Sequence, residues 1–283
     1  MTGAAVTDDI RFARVALSLL AEPGNRALWS RVEEHGPVRV LEALCDRADD
    51  SLRGVVGARL AAGDPRAAAE EALGRTRRLG ARVVVPEDDE WPHQVDDLIR
   101  ICADGRGAID RDAAPPLCLW VRGPWRLDEA LRRSVAVVGA RAATPSGEHV
   151  ARQFGYGLAE RGWTVVSGGA YGVDAGAHRG ALAAGGLTAV VLACGVDQPY
   201  PVSHTGLFDR IAEDGLLISE WPPGAEPFRH RFLIRNRLIA AATLGTVLVE
   251  ANARSGARQT FRRAGQLGRC QMVVPGPVTS AMS

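Results

Sequence analysis

Apolar positions follow two regimes along the chain, and the change comes near residue 76. From residue 8 to 75 they recur at helical spacing. The stretch from Ile10 to Leu20 carries them on one stripe until Glu22-Pro23-Gly24-Asn25 breaks it. Helices are expected next over 26–34 and about 38–45, with Gly36-Pro37 between them. Another opens at Asp64-Pro65 and runs to Leu79, so residues 1–75 read as a small all-helical domain.

From Gly80 the pattern turns to short apolar runs closed by breakers. Strands are expected at 81–85, 117–121, 135–138, 163–166, 188–193, 216–219, 246–250 and 272–274. Helices are expected at 146–161, from about 171 to 186, at 203–214, 236–243 and 259–267. Residues 87–94 and 101–114 read as loops. This alternation predicts an α/β fold over 76–283, a doubly wound, mostly parallel sheet with helices on both faces. Ligands of such sheets sit beyond the carboxyl ends of the strands. Those ends carry Gly139-Ala140-Arg141, Ser167-Gly168-Gly169-Ala170, Cys194-Gly195, Ser219-Glu220 and Glu250 with Ser255-Gly256 after it, all on one rim.

The stretch 163–186 is the centre of this pattern. A strand ends abruptly at Ser167-Gly168-Gly169-Ala170, and an Ala-rich helix follows. Glycines let the backbone approach a ligand, and a helix start favours an anion, so the loop is a candidate phosphate cradle. The spacing of Gly168, Gly169 and Gly172 matches neither the dinucleotide fingerprint nor the ATP-type loop. A bare strand-to-helix turn is an equal reading.

Composition narrows the function classes. With 46% hydrophobic and 24% charged residues in 283, the chain is globular, with room for one large or two modest domains. No apolar run reaches the roughly 18 residues of a membrane span, and acids stand near the N-terminus where a signal peptide is basic. A cytoplasmic protein is expected. Cys45, Cys102, Cys118, Cys194 and Cys270 form no C-x-x-C pair, which points to reduced, mostly buried thiols. All 34 basic side chains are arginine. Nine of them (229, 231, 235, 237, 254, 258, 262, 263, 269) fall between Ala225 and Cys270 against Glu226 and Glu250, a local excess of seven positive charges. Guanidinium forks suit phosphate oxygens and stack on bases. A coding bias with a solvated helix face is the plainer explanation of the same stripe.

Catalytic candidates are weaker. Asp174 and His178 stand at i, i+4, as a metal pair or oriented base would, but also as a helix-start carboxylate beside a core histidine would. Ser167 lacks a nucleophile elbow, and His204 and His230 have no evident carboxylate partner. Glu220 and Glu250 would suit glycosidic hydrolysis of a nucleotide, or simple pairing with the arginines. A binding protein, not an enzyme, is expected, with no metal site.

Along the rim, Ser167 to His178, Gly195-Val-Asp-Gln-Pro-Tyr-Pro201, Ser219-Glu-Trp-Pro-Pro-Gly224, Arg235-Asn-Arg237, and Val249-Glu-Ala251 with Arg254-Ser-Gly256 follow in order. Trp91-Pro92 with Pro116-Leu-Cys-Leu-Trp-Val-Arg-Gly123 precedes them, and Val274-Pro-Gly-Pro277 closes them. Over about residues 80–283 this series resembles the DNA-processing protein A family (DprA, also called Smf). The resemblance implies an extended Rossmann-like domain that binds single-stranded DNA without base specificity, protects incoming strands in natural transformation and loads the RecA recombinase onto them. It implies a homodimer and no required cofactor. It also implies a SAM-like or helix-hairpin-helix-like N-terminal domain, although the Gly-x-Gly turn that would contact DNA is missing there. By position, the family's Gly-Ser-Arg turn becomes Gly139, Ala140 and Arg141. Its phosphate loop becomes Ser167, Gly168, Gly169 and Ala170, and its Arg-Asn-Arg helix start becomes Arg235, Asn236 and Arg237. Ser255 and Gly256 complete the DNA-binding set.

Some positions depart from the family. Ala140 replaces the usual Ser, Phe232-Leu233-Ile234 stands where Phe-Pro-x is common, and His204 stands where Asn is. The basic residue before Phe232 is Arg231, with Arg229 as second candidate. Relatives continue past the position of Ser283 and can carry a winged helix, which is not expected in this chain. A pocket of Arg141, Arg231, Arg235 and Arg237, with phosphates on the loop amides and the Ser167 hydroxyl, neutralises about four phosphates and gives a log–log salt slope of roughly −3. Phe228, Phe232 and Trp221 are candidates for stacking. Two other readings compete: a nucleotide-processing enzyme of the nucleoside-monophosphate phosphoribohydrolase type, whose compact Pro-Gly-Gly-x-Gly-Thr run is missing, and a scaffold whose arginines bind an acidic protein.

Overall fold

A computed structural model describes residues 8–46, 51–104, 113–251 and 255–276. Five helices open the chain: α1 (Asp8–Ser18), α2 (Arg26–His35), α3 (Pro37–Cys45), α4 (Arg53–Ala62) and α5 (Pro65–Arg78). Their starts and stops are written in short-range chemistry. Asn25 Oδ1 accepts from Leu28 N–H at the start of α2, and Gly36, at φ 80°, ends that helix so that Pro37 can open α3. Asp64 accepts from Arg66 N–H ahead of Pro65. Helix α4 has no counterpart among the expected elements.

Eight strands follow, β1 (Ala81–Val84), β2 (Leu119–Arg122), β3 (Ser134–Val138), β4 (Thr164–Ser167), β5 (Thr188–Leu192), β6 (Leu216–Ser219), β7 (Gly245–Leu248) and β8 (Cys270–Val273). They form one sheet in the order β1-β2-β6-β5-β4-β3-β7-β8. The six strands from β6 to β8 in that order run parallel, while β2 pairs antiparallel with both β6 and β1. The mostly parallel, Rossmann-like α/β sheet is therefore as expected, with an antiparallel extension at one edge.

Helices α8 (Pro145–Glu160), α9 (Val173–Ala183) and α10 (Thr205–Asp214) cover one face together with the N-terminal bundle. Helices α6 (Leu98–Asp104), α7 (Leu127–Arg132), α11 (Arg229–Ala241) and α12 (Gly256–Gln266) lie on the other side. Residues 101–104 belong to α6, not to a loop. The successive strands β3, β4 and β5 step one way across the sheet, and β7 and β8 stack on the other side of β3. That reversal opens a crevice between the ends of β3 and β7, where doubly wound sheets place their ligands.

Of the four described thiols, Cys118 and Cys194 are buried, Cys45 is half-buried and Cys270 is exposed; the Cys102 side chain lies outside the described residues.

Candidate nucleic-acid groove

A groove of about 690 Å³ opens at this crevice. The β3 end contributes Gly139, Ala140 and Arg141, and the start of α12 contributes Ser255, Gly256 and Thr260. Helix α11 contributes Arg229, Phe232, Leu233, Arg235, Asn236 and Ile239. Ala170, Asp174 and Tyr200 close one side. Helix α11 starts at Arg229, seven residues before the expected start at Asn236. It shows no amphipathic stripe, because Arg235, Asn236 and Arg237 are buried alongside its apolar residues.

Seven of the twelve candidate residues line the groove: Gly139, Arg141, Ala170, Arg235, Asn236, Ser255 and Gly256. The Arg141 guanidinium lies 5.0 Å from the centre of the Phe232 ring, and Tyr200 meets the same ring at 5.4 Å. Arg235 is 4% exposed. Its Nη1 donates to Gly168 O at 2.8 Å and to Val191 O. Burial, and the neighbouring Arg141 charge, pull its pKa down to about 10 against the pull of Asp174. A Cβ at Gly168 would sit 2.4 Å from that guanidinium and displace it from this position. Asn236 Nδ2 donates to Gly256 O at 3.2 Å, which holds α11 to the start of α12.

The glycine loop differs from the expected cradle. The Ser167 hydroxyl is fully buried and donates to Val137 O at 2.6 Å, so it does not face a ligand. Gly168 N–H and Ala170 N–H donate to Asp174 Oδ2 at 3.2 and 3.3 Å. An internal carboxylate thus occupies the donors that a phosphate would use. Gly169, at φ 73°, turns the loop, and its carbonyl pairs with His204 Nδ1 at 3.0 Å. The loop is a built turn that supports Arg235 from below.

Two of the four pocket arginines point elsewhere. Arg237 is fully buried and donates to Glu220 Oε1 at 2.5 Å. Arg231 donates to Glu22 Oε1 at 3.0 Å and to Glu226 O at 2.9 Å. Arg229, the second candidate before Phe232, lines the groove in place of Arg231. Tyr200 and Thr260 also line it; Tyr200 belongs to the Gly195–Pro201 motif, and nothing in the sequence marks Thr260. Arg254 and Pro277 fall outside the described residues. Elsewhere in the stripe, Arg263 donates to Leu233 O and Arg269 to Asp97 Oδ2, so much of it is internal glue rather than a free basic face.

The catalytic candidates are likewise committed. His178 is fully buried, its pKa driven down to about 3 by burial and nearby positive charge. Thr188 gives its hydroxyl proton to Val165 O, so His178 Nδ1–H is the donor in the 2.7 Å bond to Thr188. Glu250 accepts from Thr144 N–H at 2.9 Å and Thr144 Oγ1–H at 2.5 Å, which ties the β7 end to the start of α8. Among the described residues, no group of three His, Cys, Asp or Glu side chains is placed to hold a metal ion, and no helix is long and apolar enough to cross a membrane.

A Rossmann-like sheet with arginine and aromatic side chains gathered at its switch point defines the class: an α/β protein with a basic, ring-lined groove at its rim. The chain belongs to the DNA recombination-mediator protein A family, which matches residues 81–283. It is 49% identical to the Mycobacterium tuberculosis DNA processing protein DprA over 272 residues, 94% of this chain and 67% of that one. Identity to the Streptococcus pneumoniae DNA processing protein DprA is 38% over 168 residues, 59% of this chain and 58% of the relative. The crystal structure of the pneumococcal protein superposes with a TM-score of 0.76 at 27% identity, covering 99% of this chain and 90% of that one. A Helicobacter pylori DNA processing protein A, described for its single-stranded DNA binding mode, gives 0.59 at 27% identity over 70% and 82% of the two chains.

Proposed function

We propose that the groove binds single-stranded DNA without reading its sequence, as one step of DNA processing. The convergence of Arg141, Arg229 and Arg235 beside Phe232 and Tyr200 carries this reading. Guanidinium groups meet phosphates, and the two rings offer faces on which any base can stack. The relatives named for DNA processing, and the Helicobacter pylori relative with its single-stranded DNA binding mode, support the same substrate.

With three arginines in the groove instead of four, the expected log–log salt slope falls from roughly −3 to about −2. Fluorescent oligo-dT titrated across salt concentrations, with matched duplex as competitor, measures it. Arg141→Ala removes one cation and its ring contact. It is expected to weaken binding about tenfold for every sequence alike and to flatten the slope by about 0.7. Unchanged affinity in the folded variant would remove Arg141 from the site.

Hydrolysis is not part of this reading, because Glu220 is neutralised by Arg237 and Glu250 is held by Thr144. Incubation with nucleoside monophosphates should release no base. Delivery of the bound strand to a RecA recombinase, in natural transformation and from a homodimer, is the biological setting we assign. Faster RecA assembly on oligo-dT in the presence of this protein is the expected result.

A further inference from the structure

The N-terminal bundle reaches the foot of α11 through the Glu22 carboxylate. Glu22 lies between α1 and α2, and its Oε2 accepts from the indole N–H of Trp221 at 2.9 Å. Its Oε1 accepts from Arg231 Nη2 at 3.0 Å and Arg59 Nη2 at 2.7 Å, and His230 Nε2 stands 3.7 Å from Oε2. Trp221 is 3% exposed and follows β6 directly, whereas Arg231 sits in the first turn of α11. The Arg231 guanidinium lies 5.4 Å from the centre of the Trp221 ring and 4.9 Å from that of Phe228. Its Nη1 donates to Glu226 O, in the middle of the same segment.

One side chain of the bundle therefore pins both ends of the segment from 220 to 231 that connects β6 to α11. The first turn of α11 is the part that presents Arg229 and Phe232 to the groove. We infer that Glu22 is a positioning residue for strand binding: by holding Trp221 and Arg231 it fixes the first turn of α11, so that the helical bundle tunes the groove without touching DNA. Arg231 acts here as a strut and not as a phosphate ligand. This inference rests on the groove being the single-strand site proposed above.

The sign of the effect separates positioning from plain electrostatics. Deleting an acid from a DNA-binding protein lessens repulsion and tightens binding. Loss of a positioning contact does the reverse. The test uses the full chain and fluorescent oligo-dT, with wild type, Glu22→Gln, Arg231→Met, the double variant, Trp221→Phe and Arg141→Ala, all assayed far below their melting temperatures. Glu22→Gln is expected to bind roughly three- to tenfold more weakly with an unchanged salt slope, because no phosphate contact is lost. The double variant should bind less weakly than the two single losses added together, since the Glu22–Arg231 contact is broken by both substitutions. Glu22→Gln binding as tightly as wild type or tighter, or effects that simply add, would overturn the inference. If Glu22→Gln does not fold, Trp221→Phe, which deletes the indole N–H donor and shrinks the ring, decides it: weaker binding at an unchanged salt slope supports the strut and unchanged binding refutes it. Arg141→Ala keeps the two readings apart. If it binds like wild type, the groove and the strut fall together; if it weakens while Glu22→Gln does not, the strut alone falls.

Discussion

Asp174 sits where a helix start and two glycine-loop amides would otherwise receive a phosphate. Burial raises its pKa above the ordinary carboxylate range, and the Arg235 charge and the amides of Ala170 and Gly168 only partly offset this. A bound polyanion favours the protonated form of such a group. Single-strand affinity is therefore expected to rise as pH falls through the raised pKa of Asp174. Asp174→Asn keeps an oxygen for the two amides and removes the charge. It should bind oligo-dT about three- to tenfold more tightly at neutral pH and lose that part of the pH dependence. Anisotropy titrations of the two proteins from pH 7 downward measure both effects, and weaker binding by the folded variant would make Asp174 a support and not a source of repulsion. His178 stays neutral down to about pH 3, so it adds nothing to the profile in this window.

Between elements, α8 and α9 approach closely because glycines face backbone. A Cβ on Gly155 would lie 2.1 Å from Ala177 O, and one on Gly180 would lie 2.2 Å from Arg152 O. Neither carbonyl can swing away without unwinding its helix. Gly155→Ala is expected to cost about 1–3 kcal/mol, read as a lower urea midpoint with unchanged slope, whereas Gly157→Ala on the same helix meets only the tip of Arg161 and should be tolerated. This level was largely legible in the sequence. Runs such as Val135–Val138 are apolar throughout because parallel strands are covered on both faces, and breakers mark their ends. Helix α11 was half hidden: 220–232 reads as a loop rich in proline and arginine, and only the fold supplies the carbonyls of Gly168 and Val191 that let Arg235 lie inside. The sequence puts Arg231 and Arg237 in the pocket for a related reason. Their partners Glu22 and Glu220 lie 209 and 17 positions away, and no local pattern tells a guanidinium that faces solvent from one that faces such a carboxylate.

Across the molecule, the sequence divides at about residue 76, but the core does not. Leu17, Leu28, Leu41 and Val56 of the bundle share one apolar cluster with Val83, Trp120, Val190, Leu192 and Leu217 of the sheet. Arg14 adds a bidentate pair to Glu87, with Nε and Nη2 at 2.8 and 2.7 Å, and Arg11 meets Asp88 at 2.6 Å. Arg14 is buried, so breaking its pair leaves a charge without a partner inside the protein. Neither half can lose the other without exposing a contiguous apolar face. The intact chain is therefore expected to unfold in one transition, with far-ultraviolet circular dichroism and tryptophan fluorescence superimposing. A chain lacking residues 1–75 should bind a hydrophobic dye and aggregate, because the strand face under the bundle would be bare. Two separated transitions, or a monodisperse truncated chain that melts cooperatively, would show the bundle to be an accessory. A single transition makes the bundle part of the groove's scaffold, since the same contact surface that completes the core also carries Glu22 to the foot of α11.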